Sequence, residues 1–139
     1  MSAITEFLFP APARRTAGAI VGWWESRRLK YNLIVGGAGV TSLAAVWVVS
    51  MLPPGPHIPP AGFWVSVWQP VVVFAVLANV CYTLGPTVEV IAEKLWGRQL
   101  LPVGPSLFRM GLTFSVGLAF LPTLLVVFAW VFRIVHAIF

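Results

Sequence analysis

Residues 31 to 52 read YNLIVGGAGVTSLAAVWVVSML, a run without one charged side chain. As a helix rising about 1.5 Å per residue it is about 33 Å long, which matches a hydrocarbon core about 30 Å thick. Lipid offers no hydrogen bonds, so a crossing segment must pair its backbone N–H and C=O groups internally, as a helix does. The stretch predicts a first transmembrane helix over 31–52. Gly36, Gly37, Gly39, Thr41, Ser42, Ala44 and Ala45 give it a side of very small side chains, and Gly36, Gly37 and Thr41 are its candidates for close helix packing.

Towards the carboxyl end, Pro53, Pro54, Pro56, Pro59 and Pro60 fill a short segment with Gly55 and His57, a composition that stops a helix and favours a stiff turn. The next apolar run, FWVSVWQPVVVFAVLANVCYTL, predicts a second span over 63–84, with Trp64 and Trp68 at its outer entrance and Pro70 placed to kink it. Thr87 then reads as the cap of a short cytoplasmic amphipathic helix over 87–97 that ends near Gly97. Residues 106–139 are apolar for longer than one crossing needs. Arg109 and Arg133 lie 24 residues apart, about 36 Å along a helix, so each can send its guanidinium to an opposite surface. Division near Pro122 would leave halves too short to span, so the reading is one third span over 107–134, kinked near Pro122.

Towards the amino end, residues 13–30 (ARRTAGAIVGWWESRRLK) carry basic pairs on both sides of a short apolar centre. They predict an interfacial helix lying in the membrane surface, preceded by a surface arm over 1–12. Arg14, Arg15, Arg27, Arg28 and Lys30 precede the first span, Lys94, Arg98 and Arg109 stand between the second and third, and Arg133 alone lies near the far end. This asymmetry predicts a cytoplasmic amino terminus and a periplasmic carboxyl terminus in a bacterial inner membrane. The tryptophans follow the same plan, with Trp23, Trp24 and Trp96 expected at the inner surface and Trp64, Trp68 and Trp130 nearer the outer one.

Composition agrees with the spans. Of the 139 residues, 59% are hydrophobic and 9% charged, with a mean hydropathy of +0.91. Soluble domains carry about 25% charged residues, so a soluble enzyme, a disulfide scaffold, a disordered regulator and a nucleic-acid module all recede. The expected fold class is an all-α integral membrane protein in a single membrane domain over 1–139. It has three transmembrane helices plus the N-terminal interfacial helix and the short cytoplasmic amphipathic one.

Chemistry has to come from the few polar residues. The chain has no Asp, four Glu, two His and the single Cys81, and it contains no HExxH, GxSxG, Walker loop or CxxC pattern. No catalytic residue and no metal site is expected. Glu89 and Glu93, four apart on a helix, are explained by surface pairing with Lys94 and Arg98. Glu25, Glu89, Glu93 and Tyr82 are the only candidates for a reactive group at a membrane surface. No cofactor of its own is expected. His136 is the one candidate tetrapyrrole ligand, against the simpler reading of an interfacial imidazole. Asn79, Cys81, Tyr82 and Thr83 form the unusual polar cluster at membrane depth, and Asn79 and Thr83 are expected to bridge to Thr41 and Ser42 of the first span.

Two stretches, WWESRRLKYN over 23–32 and ANVCYTLGPTVE over 78–89, resemble segments of small bacterial multi-pass membrane proteins of uncharacterised function. The matching positions are Trp24, Glu25, Arg27, Arg28, Tyr31, Asn32, Asn79, Cys81, Tyr82 and Glu89. The resemblance implies a membrane fold and no particular activity. Its two segments suggest a structural inner-leaflet cluster in which Glu89 meets Arg27, Arg28 or Lys30, and Tyr31, Asn32, Asn79 and Tyr82 hydrogen-bond in one layer.

With nothing charged at the bilayer midplane, the sequence points to a non-enzymatic accessory subunit. Its expected partners are the lipid bilayer and other integral membrane subunits of a hetero-oligomeric photosynthetic or respiratory complex, with no nucleic acid. The alternative is a small homo-oligomeric channel or transporter.

Overall fold

The computed structural model describes residues 16–54, 60–96 and 103–139. Three long helices account for almost all of them: α1 (Ala17–Ser50), α2 (Pro60–Trp96) and α3 (Gly104–Ile138). All three are long and apolar enough to cross a membrane. The arm over 1–12, residues 13–15, His57 and the end of the expected amphipathic helix at Gly97 lie outside the described residues.

The expected breaks between spans and surface helices are not present. Residues 17–30 and the first span form the single helix α1, because nothing between Ser26 and Asn32 stops a helix and Arg, Leu and Lys favour one. Thr16 caps it, accepting from the Ala19 N–H at 3.3 Å. The second span likewise runs on through Gly85 and Pro86 to Trp96. Thr87 is therefore no cap; its hydroxyl donates back to the Thr83 carbonyl at 2.8 Å, inside the helix. The third helix also exceeds its expected span at both ends and passes through Pro122.

The chain divides into two compact units. The first comprises Met1–Leu33 with Val76–Ser115, and the second Ile34–Ala75 with Val116–Phe139. In the first, buried Ile20, Trp23, Trp24 and Tyr31 of α1 meet Ala78 and Tyr82 of α2 and Phe108 of α3. The core of the second is slighter, with Val35, Val46, Phe63 and Ala119 buried. There Ser42 and Thr123 share a hydrogen bond of 2.7 Å, and Thr123 also donates to the Ser42 carbonyl.

This second unit corrects the expected packing. Ser42 pairs with Thr123 of α3 instead of Asn79 or Thr83, and Thr41 donates to the Gly37 carbonyl of its own helix. A Cβ built on Gly36 or Gly37 meets no atom within 4 Å, so these glycines pack against nothing in the second unit.

Candidate functional site

The first unit holds the polar groups of the two resembling segments, arranged around an aromatic cluster. Trp24 lies edge-on to Trp23, Tyr82 and Phe108, with ring centroids 5.4, 5.4 and 5.8 Å away. Such edge-to-face contacts contribute about 0.5 to 1.5 kcal/mol beyond burial. Tyr31 packs on Tyr82 at 4.6 Å. Trp23 and Trp24, expected at the inner surface, are buried, with their rings packed against one another and against Phe108.

Each buried polar group in this cluster ties two helices together. The Tyr82 hydroxyl of α2 donates to the Trp24 carbonyl of α1 at 2.6 Å. The Tyr31 hydroxyl donates to the Ala78 carbonyl at 3.3 Å and shares a 2.7 Å hydrogen bond with the Ser115 hydroxyl of α3. At the surface of the same unit, Asn32 donates to Asn79 at 3.3 Å. Thr83, expected to cross to the first span, donates to the Val80 carbonyl.

Glu89 is the most unusual member. It is 2% exposed, yet its partner is no basic side chain. The indole Nε1 of Trp24 donates to its Oε2 at 2.8 Å, and its Oε1 has no hydrogen-bond partner among the described residues. The expected ion pair with Arg27, Arg28 or Lys30 is therefore replaced. Arg28 instead pairs with Glu25 at 2.7 Å and lies over the Tyr82 ring at 5.3 Å. Arg27 lies over Trp23 at 4.1 Å. Rigid guanidinium planes stack on aromatic faces in this way, and the two rings that carry the arginines, Trp23 and Tyr82, both pack edge-on to the Trp24 ring that binds Glu89.

Two glycines make the Glu89 arrangement possible. A Cβ on Gly85 would overlap the Trp24 ring, and a Cβ on Gly104 would overlap the Glu89 carboxylate. Gly104 is the first residue of α3, so the carboxylate lies against the positive end of that helix. A negative charge there is stabilised by about 0.3 to 1 kcal/mol, and somewhat more when partly buried. Neither glycine stood out in the sequence. The signal for Gly85 was its spacing to Glu89, one turn apart on the face that receives an indole, and Gly104 carried none.

A recess of about 80 Å³ opens beside this cluster, with Trp24, Tyr31, Cys81, Tyr82, Gly111 and Ser115 among its walls. Its hydroxyls are those of Tyr31, Tyr82 and Ser115, all committed to the ties above. Among the described residues no three His, Cys, Asp or Glu side chains gather as a metal site. His136 is exposed in the last turn of α3. No protein-family model, no curated protein and no solved structure matches the chain.

Proposed function

We propose that the chain is a non-enzymatic accessory subunit that scaffolds a larger inner-membrane complex of photosynthetic or respiratory type. One observation carries the reading. The apolar windows of α1, α2 and α3 are only 17%, 17% and 6% buried. Spans that cover so little of one another leave wide faces for lipid and for neighbouring subunits, and α3 most of all. The use of the buried polar groups supports the same reading. Tyr31, Tyr82, Ser115 and Trp24 bind helix to helix, where an active site would turn such groups towards a substrate.

In this proposal the chain is multi-pass in the bacterial inner membrane, with the amino terminus cytoplasmic and the carboxyl terminus periplasmic, following the basic-residue asymmetry. Arg27, Arg28 and Lys30 then mark the cytoplasmic side. Reporter fusions after Gly62 and Phe139 should both report the periplasm, and a cytoplasmic reading at Phe139 would reverse the assignment.

The decisive experiment is a native gel of membranes solubilised in mild detergent, followed by mass spectrometry of the band that contains this chain. Other integral membrane subunits in stable proportion are expected. A band holding this chain alone, or a purified homo-oligomer that passes ions in liposomes, would overturn the subunit reading.

A further inference from the structure

We propose that Arg27 and Lys30 form a seat for the phosphate of an anionic phospholipid. Lys30 is the last charged residue before the uncharged run 31–52, so this part of α1 stands at the boundary between hydrocarbon and headgroups whichever way the chain is inserted. Among the described residues the first unit holds five cations, Arg27, Arg28, Lys30, Lys94 and Arg109, against three acids, Glu25, Glu89 and Glu93. The excess of positive charge gives the unit a potential that attracts anions.

Position within the unit decides which side chains can hold an anion. Glu25 takes the Arg28 guanidinium at 2.7 Å, and the Arg28 Nε is buried. Arg27 and Lys30 stand three residues apart on one face of α1, the first half-buried and the second exposed. Arg27 is held in place. Its guanidinium lies 4.1 Å from the centroid of the Trp23 ring, and its Nη1 donates to the Trp23 carbonyl at 3.2 Å and to the Ser26 hydroxyl at 3.3 Å. The ring beneath it is itself fixed, edge-on to Trp24 at 5.4 Å and to Phe108 of α3 at 6.0 Å. A guanidinium ordered before its anion arrives loses little side-chain entropy on binding, and its planar fork suits phosphate oxygens. The Lys30 ammonium adds a point charge on a flexible stem, one turn nearer the span.

The next residue along that face sets the source of the phosphate. Leu33, three residues beyond Lys30, is 66% exposed and lies about 4.5 Å further along the axis, inside the uncharged run. Two cations directly above an exposed leucine match a molecule with a phosphate at one end and a hydrocarbon chain at the other. A free phosphate would leave Leu33 untouched.

Native mass spectrometry tests the seat independently of any host complex. The full chain in a neutral detergent is titrated with phosphatidylglycerol and, separately, with phosphatidylcholine, and the association constant of the first lipid bound is read for each. Phosphatidylglycerol should bind more tightly by about tenfold or more, the effect of two basic residues near a membrane surface. Arg27→Gln and Lys30→Gln should each weaken its binding about fivefold and leave phosphatidylcholine unchanged. Lys94→Gln removes the same charge from an exposed position at the end of α2 and should weaken it less than about twofold, because a seat depends on place as well as on net charge. Unchanged circular dichroism will show that the helices are intact, and Lys30→Gln, at an exposed side chain, keeps the test open if Arg27→Gln disturbs the Trp23 ring. Excess glycerol phosphate, a headgroup without chains, should not displace the lipid. Equal affinity for the two lipids would overturn the proposal and leave the pair to an acidic protein surface. Equal losses from Arg27→Gln and Lys94→Gln, or displacement by glycerol phosphate, would overturn it as well.

Discussion

The Trp24 indole N–H donates to the Glu89 carboxylate at 2.8 Å, linking residues 65 positions apart from α1 to α2. The carboxylate is buried, lies against the first residue of α3 and has this single hydrogen-bond partner among the described residues. One side chain thus joins the three helices of the first unit. A buried carboxylate is costly unless hydrogen bonds and nearby positive dipoles compensate it, so the indole and the α3 terminus act together.

Removing the donor should therefore cost more than changing the acceptor. Trp24→Phe leaves the carboxylate without its hydrogen bond and is expected to destabilise the fold by about 3 kcal/mol. Glu89→Gln keeps an oxygen for the indole, removes the buried charge and is expected to cost about 1 kcal/mol or less. Thermal unfolding of both variants in detergent will rank them. A Trp24→Phe protein as stable as the wild type would show that the hydrogen bond contributes little.

The glycines of the two units should respond oppositely to the same substitution. Gly85→Ala and Gly104→Ala place a methyl group into the Trp24 ring and the Glu89 carboxylate, and each is expected to cost about 1 to 3 kcal/mol. Gly36→Ala and Gly37→Ala meet open space and should be neutral or stabilising by up to about 1 kcal/mol. Unfolding midpoints of the four variants will check this contrast, which is lost if all four behave alike.

The hydroxyl pair Tyr31 and Ser115 should prove coupled. Both residues are buried, so Ser115→Ala and Tyr31→Phe each remove a partner from a tie between α1 and α3. A double-mutant cycle is expected to give an interaction energy of about 1 kcal/mol. Strict additivity would mean that the two hydroxyls do not support each other.

Glu25→Gln, in contrast, should leave the stability of the fold almost unchanged. The Glu25–Arg28 pair is about half exposed on the glutamate side, and exposed pairs at this helical spacing contribute only a few tenths of a kcal/mol. A shift in unfolding midpoint as large as that of Trp24→Phe would contradict this.

The sequence by itself determined that this is a membrane protein with three apolar crossings, because lipid makes severe and local demands. A stretch such as 31–52 must be long, uncharged and internally hydrogen-bonded wherever it lies, and those properties are written residue by residue. The same local reading broke the helices in the wrong places. Charge at Arg27, Arg28 and Lys30, and the pair Gly85–Pro86, look like boundaries until the helix on each side is seen to continue, which side-chain packing decides. Tertiary structure alone decided the partners. Trp24 reads as a belt residue and Glu89 as half of an ion pair, since an indole suits the interface and a carboxylate attracts the nearest arginine. Which donor reaches Glu89 depends on where Gly85 and Gly104 leave room across three helices. Separations of 65 positions, as between Trp24 and Glu89, leave no trace in helical periodicity, which reports only which residues of one helix share a face.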